Sequence, residues 1–156
     1  MPLGNLRIIS TKTSLLAMYF RDRQILRCSS EIKMSDDVGI IIDTKSWLAR
    51  YFAKTSPSIT LPLSPNGTPF QKMIWEYLCE IPYGGVMTYG TIAKMAALTM
   101  GKEKMSAQAI GNAISRNPIS IIIPCHRVIG SNNALVGYAA GVDIKRRLLA
   151  LEGFSP

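Results

Sequence analysis

Cys125 and His126 are adjacent in this 156-residue chain, and together they have the residue types needed for nucleophilic catalysis. The apolar, β-branched run 119–123 predicts a buried strand, and Pro124 should end it because proline cannot donate a ladder hydrogen bond. A cysteine at a strand end, with His126 and Arg127 beside it, lies in a setting that favours the nucleophilic thiolate. Adjacent side chains on an extended segment point in opposite directions, so a water or a turn must link the two groups if His126 is the base. The alternative is a buried inert thiol beside a neutral histidine bonded to the backbone.

Glu152 is the second residue whose position suggests chemistry, because it ends a helix predicted over residues 142–152. An anion at the C-terminus of a helix opposes the helix dipole, at a cost of about 0.3–1 kcal/mol. An imidazolium or an arginine as partner would offset that cost. We expect Glu152 and His126 to form an acid–base pair if the last helix packs behind the strand. Otherwise Glu152 is a solvated side chain that bears the small penalty.

The other cysteines, Cys28 in a predicted strand and Cys79 in a predicted helix, are interpreted as inert thiols. Three cysteines argue against a disulfide framework, and with one histidine and no CxxC pair no metal site is expected. The N-terminus has no charged leader before an apolar stretch, and no apolar run approaches about 20 residues. We therefore predict no secretory signal, no membrane partner and a cytoplasmic location.

Composition allows one ordinary domain or two small ones that share a core, because 47% of the residues are hydrophobic. The net charge is +8, from 18 basic and 10 acidic residues. Such a charge suits a polyanionic partner, with nucleic acid the first candidate. A basic surface that only confers solubility is the alternative.

Four helices are predicted in the second half of the chain. The first begins with a capping box at Thr68 and extends to about Ile81. The second follows Thr88 to about Leu98, and the third follows Ser106 to about Ser115. The last covers residues 142–152, and Gly153 should end it.

The second and third of these helices form a helix-turn-helix candidate. Small residues make the third helix thin, and a glycine inside a helix costs up to about 1 kcal/mol relative to alanine. These small residues are Ala107, Ala109, Gly111 and Ala113. A thin helix can enter a minor groove about 6 Å wide, or it can pack closely on the protein's own core.

In the first half, short apolar runs predict strands near Leu6, over 15–20 and over 25–28, and a further strand over 39–42. A helix capped by Asp43 or Thr44 should then bury Trp47, Leu48, Tyr51 and Phe52. Residues 55–69 hold four of the nine prolines and are interpreted as a surface linker. Residues 131–141 predict a hairpin or wing. We find no chemistry in the first half and expect it to be structural.

The segment IPCHRVIG, residues 123–130, resembles the active-site motif of the O6-alkylguanine-DNA alkyltransferases. The resemblance extends over about 69–153, and further matching features occur in the family's order. They are Phe70-Gln71, Ile81-Pro82-Tyr83-Gly84, Thr88-Tyr89, the Ala-Ile-Gly-Asn-Ala helix, Asn117-Pro118, Gly137-Tyr138, Lys145 and Leu151-Glu152-Gly153. Residues 1–68 match only in general character.

The resemblance implies direct reversal of DNA damage in double-stranded DNA containing O6-alkylguanine. The family flips the alkylated guanine into a pocket and transfers the alkyl group irreversibly to a cysteine, without a cofactor. By position, Cys125 is the acceptor, His126 deprotonates it through a water, and Glu152 orients His126. Tyr89 matches the tyrosine that helps to rotate the nucleotide and assists the departing guanine. Asn117 matches the asparagine that ties the helix-turn-helix to the active site.

For substrate binding, the resemblance implies that the carbonyls of Cys125 and Val128 read the exocyclic amine and that Tyr138 forms a pocket wall. Arg127 is placed among the substrate-binding residues. The resemblance gives both Arg127 and Lys145 a structural or supportive role. Residues 145–147 are otherwise a solvated basic face. Gln108 and Ala109 lie on the helix that meets DNA.

Two positions depart from the family. Gln108 stands where an arginine usually intercalates, which predicts weaker DNA binding, and Ala139 stands where many members have serine. The amide of Ala139 can still face the O6 atom. The zinc ligands of some members are absent here.

The expected fold is α+β. A small sheet-plus-helix domain (1–66), ribonuclease H-like, should pack on a winged helix-turn-helix-like domain (67–156), as a monomer. One alternative function is a non-catalytic lesion sensor, a class that lacks the reactive cysteine. A cysteine hydrolase would need an oxyanion hole and a directly bonded histidine. A winged-helix regulator would need longer polar side chains on its recognition helix.

Overall fold

Small sheets and five helices form the part of the chain, residues 3–20 and 38–155, that a computed structural model describes. The N-terminal half contains β1 (Leu6–Ser10), β2 (Leu15–Phe20) and α1 (Gly39–Phe52). The C-terminal half contains α2 (Pro69–Cys79), β3 (Met87–Thr88), α3 (Tyr89–Thr99), α4 (Ala107–Ser115), β4 (Val128–Ile129) and α5 (Val142–Leu151). Two 3-10 turns, Cys125–Arg127 and Ser131–Asn133, flank β4. The α+β class is confirmed.

Strands β1 and β2 pair antiparallel, with Leu6 opposite Phe20 and Ile8 opposite Met18. Strands β3 and β4 form a two-residue parallel pair in which Met87 lies opposite Val128. The strand predicted over 25–28, with Cys28, lies outside the described residues. The ribonuclease H-like character of the first half therefore stays a prediction.

The predicted helices of the second half are confirmed, with small differences at their ends. Thr68 and Gln71 form the reciprocal capping box at α2, and Thr88 and Ser106 cap α3 and α4 through their hydroxyls. Helix α2 ends two residues earlier than predicted, at Cys79. Caps set these boundaries, because each one satisfies an N–H that the helix leaves unpaired.

The prediction of a strand over residues 39–42 was wrong, because α1 already begins at Gly39. Asp43 and Thr44 therefore lie inside the helix rather than at its cap, and the buried Thr44 hydroxyl donates to the Ile40 carbonyl at 2.7 Å. Isoleucine lowers helix propensity only slightly, and one continuous helical face is buried here. Its members are Ile40, Thr44, Trp47, Leu48 and Tyr51.

The strand predicted over residues 119–123 was also wrong. Only Ile119 forms a bridge, to Met18 of β2, and the chain then turns with Ile121 at a positive φ of 71°. Ile119, Ile121, Ile122 and Ile123 are all buried. The β-branched run therefore reflects burial rather than extended structure.

The hairpin predicted over residues 131–141 is replaced by the Ser131–Asn133 turn and irregular backbone; this stretch is described throughout and has no strand. The proline-rich segment is partly pinned to β2, since the Leu15 amide donates to the Pro62 carbonyl and the Ser64 amide to the Leu15 carbonyl, both at 2.8 Å. One hydrophobic cluster continues from Leu15 and Trp47 to the helices of the second half. None of the described helices has the length and apolar character needed to cross a membrane.

Candidate active site

Glu152 is the C-cap residue of α5, and its side chain lies in the protein interior. The Phe154 amide donates to the Leu149 carbonyl at 2.9 Å and the Gly153 amide to the Ala150 carbonyl at 3.1 Å, which is the Schellman pattern of a helix end. Gly153 has the positive φ, 88°, that this ending requires. Glu152 is consequently 6% exposed, and it is not the solvated side chain of the alternative interpretation.

Five donors surround the Glu152 carboxylate. Oε1 accepts from the Tyr51 hydroxyl at 2.6 Å, from His126 Nε2 at 2.7 Å and from Arg127 Nη2 at 3.0 Å. Oε2 accepts from Arg127 Nε at 2.8 Å and from the Gly84 amide at 3.1 Å. Burial alone would raise the pKa of Glu152, but the hydrogen bonds and charges of His126 and Arg127 outweigh it and lower the pKa to about 2. The carboxylate is therefore ionised at neutral pH.

His126 is completely buried, and its Nε2 is bonded to Glu152. Burial lowers the pKa of His126, and the carboxylate only partly counteracts this, so the imidazole is neutral at pH 7. Because an ionised carboxylate only accepts, Nε2 carries the proton and Nδ1 has a lone pair. Nδ1 is buried with no hydrogen-bond partner among the described residues. The lone pair on Nδ1 can thus accept a proton, and it lies on the ring nitrogen that is not bonded to Glu152.

Arg127 completes this cluster from the same 3-10 turn. Its Nη1 donates to the Ile81 carbonyl at 2.6 Å, and its guanidinium lies 5.8 Å from the Tyr83 ring centroid. With Nε and Nη2 on Glu152, the side chain is occupied within the protein and 6% exposed. These contacts are the ones expected of a supporting residue, and the predicted contact of Arg127 with the substrate stays a prediction.

Cys125 opens the 3-10 turn and is 5% exposed. Asn117 Nδ2 donates to Cys125 Sγ at 3.1 Å and to the Ile123 carbonyl at 2.8 Å, while its Oδ1 accepts from the Ile119 amide at 2.9 Å. One amide thus holds both the turn and the sulfur. The 3-10 backbone also replaces the extended geometry assumed above, in which Cys125 and His126 would face opposite ways.

Helix α3 and the segment before α5 supply the other predicted residues. The Tyr89 hydroxyl donates to the carbonyls of Gly137 at 3.3 Å and Val136 at 3.5 Å. Burial, and then the charge of Cys125, raise the pKa of Tyr89, so its phenol stays protonated near the sulfur. The half-buried Tyr138 ring is edge-on to His126, with centroids 6.4 Å apart.

Lys145 is fully buried, which excludes the alternative interpretation of a solvated basic face at this position. Its Nζ donates to the carbonyls of Val128 at 2.5 Å and Val136 at 2.7 Å. Burial lowers the pKa of Lys145 to about 8, against the opposing effect of Cys125. Arg146 and Arg147 are exposed, as predicted, and Ala139 is half-buried.

Gln108 and Ala109 lie on α4, away from the buried cluster. Gln108 is exposed and Ala109 half-buried, while Ile110, Ala113 and Ile114 face the core. Apart from its chain neighbours and the backbone of α4 itself, a Cβ added to Gly111 would meet no described atom within 4 Å. Packing on the protein's own core therefore does not require the glycine at this position.

Sequence reasoning missed Tyr51 and Gly84. Tyr51 was assigned only to an apolar helix face, and nothing local indicates that its hydroxyl reaches Glu152, 101 residues later. Gly84 appeared within a motif but without a role; its φ is +76°, and a Cβ there would lie 2.9 Å from the Glu152 carbonyl oxygen. For Cys79, burial raises the pKa to about 11, as expected of an unreactive thiol.

The sequence model of the family described as "6-O-methylguanine DNA methyltransferase, DNA binding domain" matches residues 69–154, which is more than half of the chain. The chain belongs to this family. The matched range includes all the residues described above around Glu152 and Cys125 except Tyr51, which lies before it. Cys125, His126 and Glu152 all lie inside the matched range.

Individual relatives carry names that agree with this family. A methylated-DNA–protein-cysteine methyltransferase of Methanosarcina acetivorans is 55% identical over 106 residues, covering 68% of this chain and 65% of that protein. The one from Haemophilus influenzae is 37% identical over 152 residues, covering 97% of this chain and 82% of that protein. The matched part spans 63–66% of the length of three Methanosarcina relatives.

Solved structures of the family have the same fold. Mycobacterium tuberculosis OGT, crystallised in complex with DNA, aligns with a TM-score of 0.82 at 34% identity, covering 97% of this chain and 88% of that chain. An O6-methylguanine DNA methyltransferase from Methanococcus jannaschii aligns with a TM-score of 0.68 at 25% identity, covering 97% of this chain and 89% of that chain. The agreement with the Mycobacterium protein extends over both halves of the chain.

Proposed function

We propose that this protein is a methylated-DNA–protein-cysteine S-methyltransferase, which transfers the alkyl group from O6 of guanine in duplex DNA to Cys125. The observation that carries the proposal is one buried cluster: a sulfur held by Asn117, next to a neutral His126 that is oriented by an ionised Glu152. A polarised thiol beside a positioned base is what a displacement at carbon requires. Family membership supplies the substrate class.

The proposed step is a single displacement. The Cys125 thiol loses its proton to Nδ1 of His126 through a water, and the sulfur forms a bond to the methyl carbon as the bond from that carbon to O6 breaks. The electron pair returns to the guanine, which takes a proton at N1 from the Tyr89 hydroxyl and becomes ordinary guanine. The proton that His126 accepted from the thiol then returns through water to Tyr89, so no net proton is gained or lost. The thioether is not regenerated, so each molecule reacts once. No cofactor enters this balance.

Residues near the sulfur would hold a flipped guanine. The Val128 carbonyl accepts from Lys145, but a carbonyl has two lone pairs, so it can also accept from the exocyclic amine. Tyr138 would form a pocket wall, and the Ala139 amide would face O6. The protonated Tyr89 hydroxyl is suited to assist the departing guanine. Entry of the base requires flipping, because the O6 atom is stacked inside a duplex.

Helices α3 and α4 would form the helix-turn-helix that binds DNA, with Gln108 and Ala109 toward the groove. The net charge of +8 favours a polyanion, and the glycine at 111 leaves α4 thin on a side where the core does not need it. Tight contact with a minor groove would explain the small residue. The winged character, the monomeric state, the domain boundary at 66/67 and the cytoplasmic location belong to the same proposal.

A duplex with one labelled O6-methylguanine tests the proposal. We expect label on the protein in a one-to-one ratio, loss of transfer in Cys125→Ser, and full transfer in the control Cys79→Ser. No transfer, with lesion DNA bound more tightly than undamaged DNA, would indicate the lesion sensor instead, for which Gln108 and Ala139 are the motivating departures. No transfer and no preference would refute both functions.

A further inference from the structure

Tyr51 brings the N-terminal half into the buried cluster. The residue lies in α1, is 0% exposed, and its hydroxyl is 2.6 Å from Glu152 Oε1. The same oxygen accepts from His126 Nε2, and the Tyr51 oxygen is 3.4 Å from that nitrogen. Two donors from different halves of the chain therefore meet on one carboxylate oxygen.

Packing fixes the Tyr51 ring independently of its hydroxyl. The ring stacks on Trp47 with centroids 5.5 Å apart, and it contacts Tyr83 edge-on at 5.6 Å and Phe52 at 5.2 Å. Burial, and then the charge of Glu152, raise the pKa of Tyr51, so the hydroxyl remains a donor at every pH of interest. The oxygen of Glu152 thus accepts from a hydroxyl that is packed on three rings and stays protonated.

We propose that Tyr51 is a positioning residue of the alkyl-acceptor site, which holds the Glu152 oxygen that orients His126. The inference rests on the function proposed above and corrects the expectation that the N-terminal half is only structural. The hydrogen bond from the hydroxyl also reduces the negative charge on Glu152 that would otherwise stabilise an imidazolium at His126. Removing it should leave His126 more basic and less firmly oriented.

The other charged and titratable groups around His126 stay in place when only the hydroxyl is removed. Arg127 and Lys145 disfavour the imidazolium and Glu152 favours it. The Tyr138 ring is edge-on to the imidazole, and Cys125 is its neighbour in the chain. Tyr51→Phe retains the packing of the aromatic ring, so its effect isolates the hydrogen bond. Tyr19→Phe is a matched control, because the buried Tyr19 hydroxyl has no hydrogen-bond partner among the described residues.

His126 is the only histidine, so its imidazole protons can be followed without ambiguity in an NMR titration of the full chain without DNA. We expect its titration midpoint to rise by about 0.5–1 pH unit in Tyr51→Phe and to stay at the wild-type value in Tyr19→Phe. An unchanged midpoint in Tyr51→Phe would overturn the proposal. This readout does not depend on methyl transfer, so it separates failure of this inference from failure of the proposed function.

Single-turnover transfer from an O6-methylguanine duplex, measured from pH 5 to pH 9, gives the second readout. In Tyr51→Phe the acid limb should move upward by the same amount, and the plateau rate should fall less than the roughly hundredfold that loss of a general base costs. A purely structural role would lower the rate equally at all pH values, and that result would count against the proposal. Tyr19→Phe should reproduce the wild-type profile.

Discussion

Replacing Glu152 by glutamine should destabilise the fold by about 3 kcal/mol at pH 7. The carboxylate accepts five hydrogen bonds, and its pKa falls from an ordinary 4.5 to about 2 on folding. At about 1.36 kcal/mol per pH unit, that fall corresponds to roughly 3 kcal/mol in favour of the ionised form. Breaking a buried ion pair by removing one partner costs a similar amount, about 3–5 kcal/mol, because Arg127 would remain buried without its counter-ion.

The loss of stability in Glu152→Gln should depend on pH, because folding lowers the pKa of the Glu152 carboxyl group. A carboxylate with a lowered pKa stabilises the folded state fully above pH 4.5, and this contribution disappears as the pH falls from 4.5 to about 2. Urea titrations of wild type and Glu152→Gln should therefore differ by about 3 kcal/mol at pH 7 and by less at pH 3.

The exposed pair between Asp143 and Arg146 provides the control. Asp143→Asn should change the free energy of unfolding by less than about 1 kcal/mol, because solvent screens that pair. Glu152→Gln as stable as wild type at pH 7, or a difference of equal size at pH 7 and pH 3, would refute the account of the buried cluster.

Three further outcomes are expected. Gly84→Ala should lose about 1–3 kcal/mol in a urea titration, because the new Cβ would lie 2.9 Å from a backbone carbonyl at a positive φ, whereas Gly111→Ala should be stable or slightly stabilised. Gln108→Arg should tighten binding to duplex DNA by up to about tenfold in a titration at fixed salt, and unchanged affinity would show that Gln108 does not face the DNA. Methylation of Cys125 should lower the melting temperature, because the added group costs about 1–3 kcal/mol in a packed site that Asn117 closes; an unchanged melting curve would contradict this.

Local signals in the sequence predicted the helices of the second half well. Capping residues and glycine ends are short-range features, so Thr68, Thr88, Ser106 and Gly153 marked their boundaries to within two residues. The strand predictions over 39–42 and 119–123 failed for a common reason. A run of isoleucines indicates burial but does not indicate the backbone conformation of the segment. Ile40 is buried as part of a helix, and residues 119–123 as part of a turn.

The contacts of the site that could not be predicted join residues that are far apart in the sequence. The position of Glu152 at a helix C-terminus predicted a cationic partner, and Arg127 is that partner, with the neutral His126 as a further hydrogen-bond donor. Neither periodicity nor spacing indicates that the Tyr51 hydroxyl, on an otherwise apolar face, would join them. The two carbonyls that accept from the buried Lys145, those of Val128 and Val136, could not be predicted either, because no local pattern in the sequence indicates them.

A peptide mass map after reaction with an O6-methylguanine duplex shows whether Cys125 accepts the methyl group. Trypsin should release residues 117–127 as one peptide, which contains Cys125 and no other cysteine. The account predicts a stoichiometric mass gain of one methylene on this peptide, absent from Cys125→Ser. A peptide of unchanged mass, or a methyl group found on another residue, would contradict it.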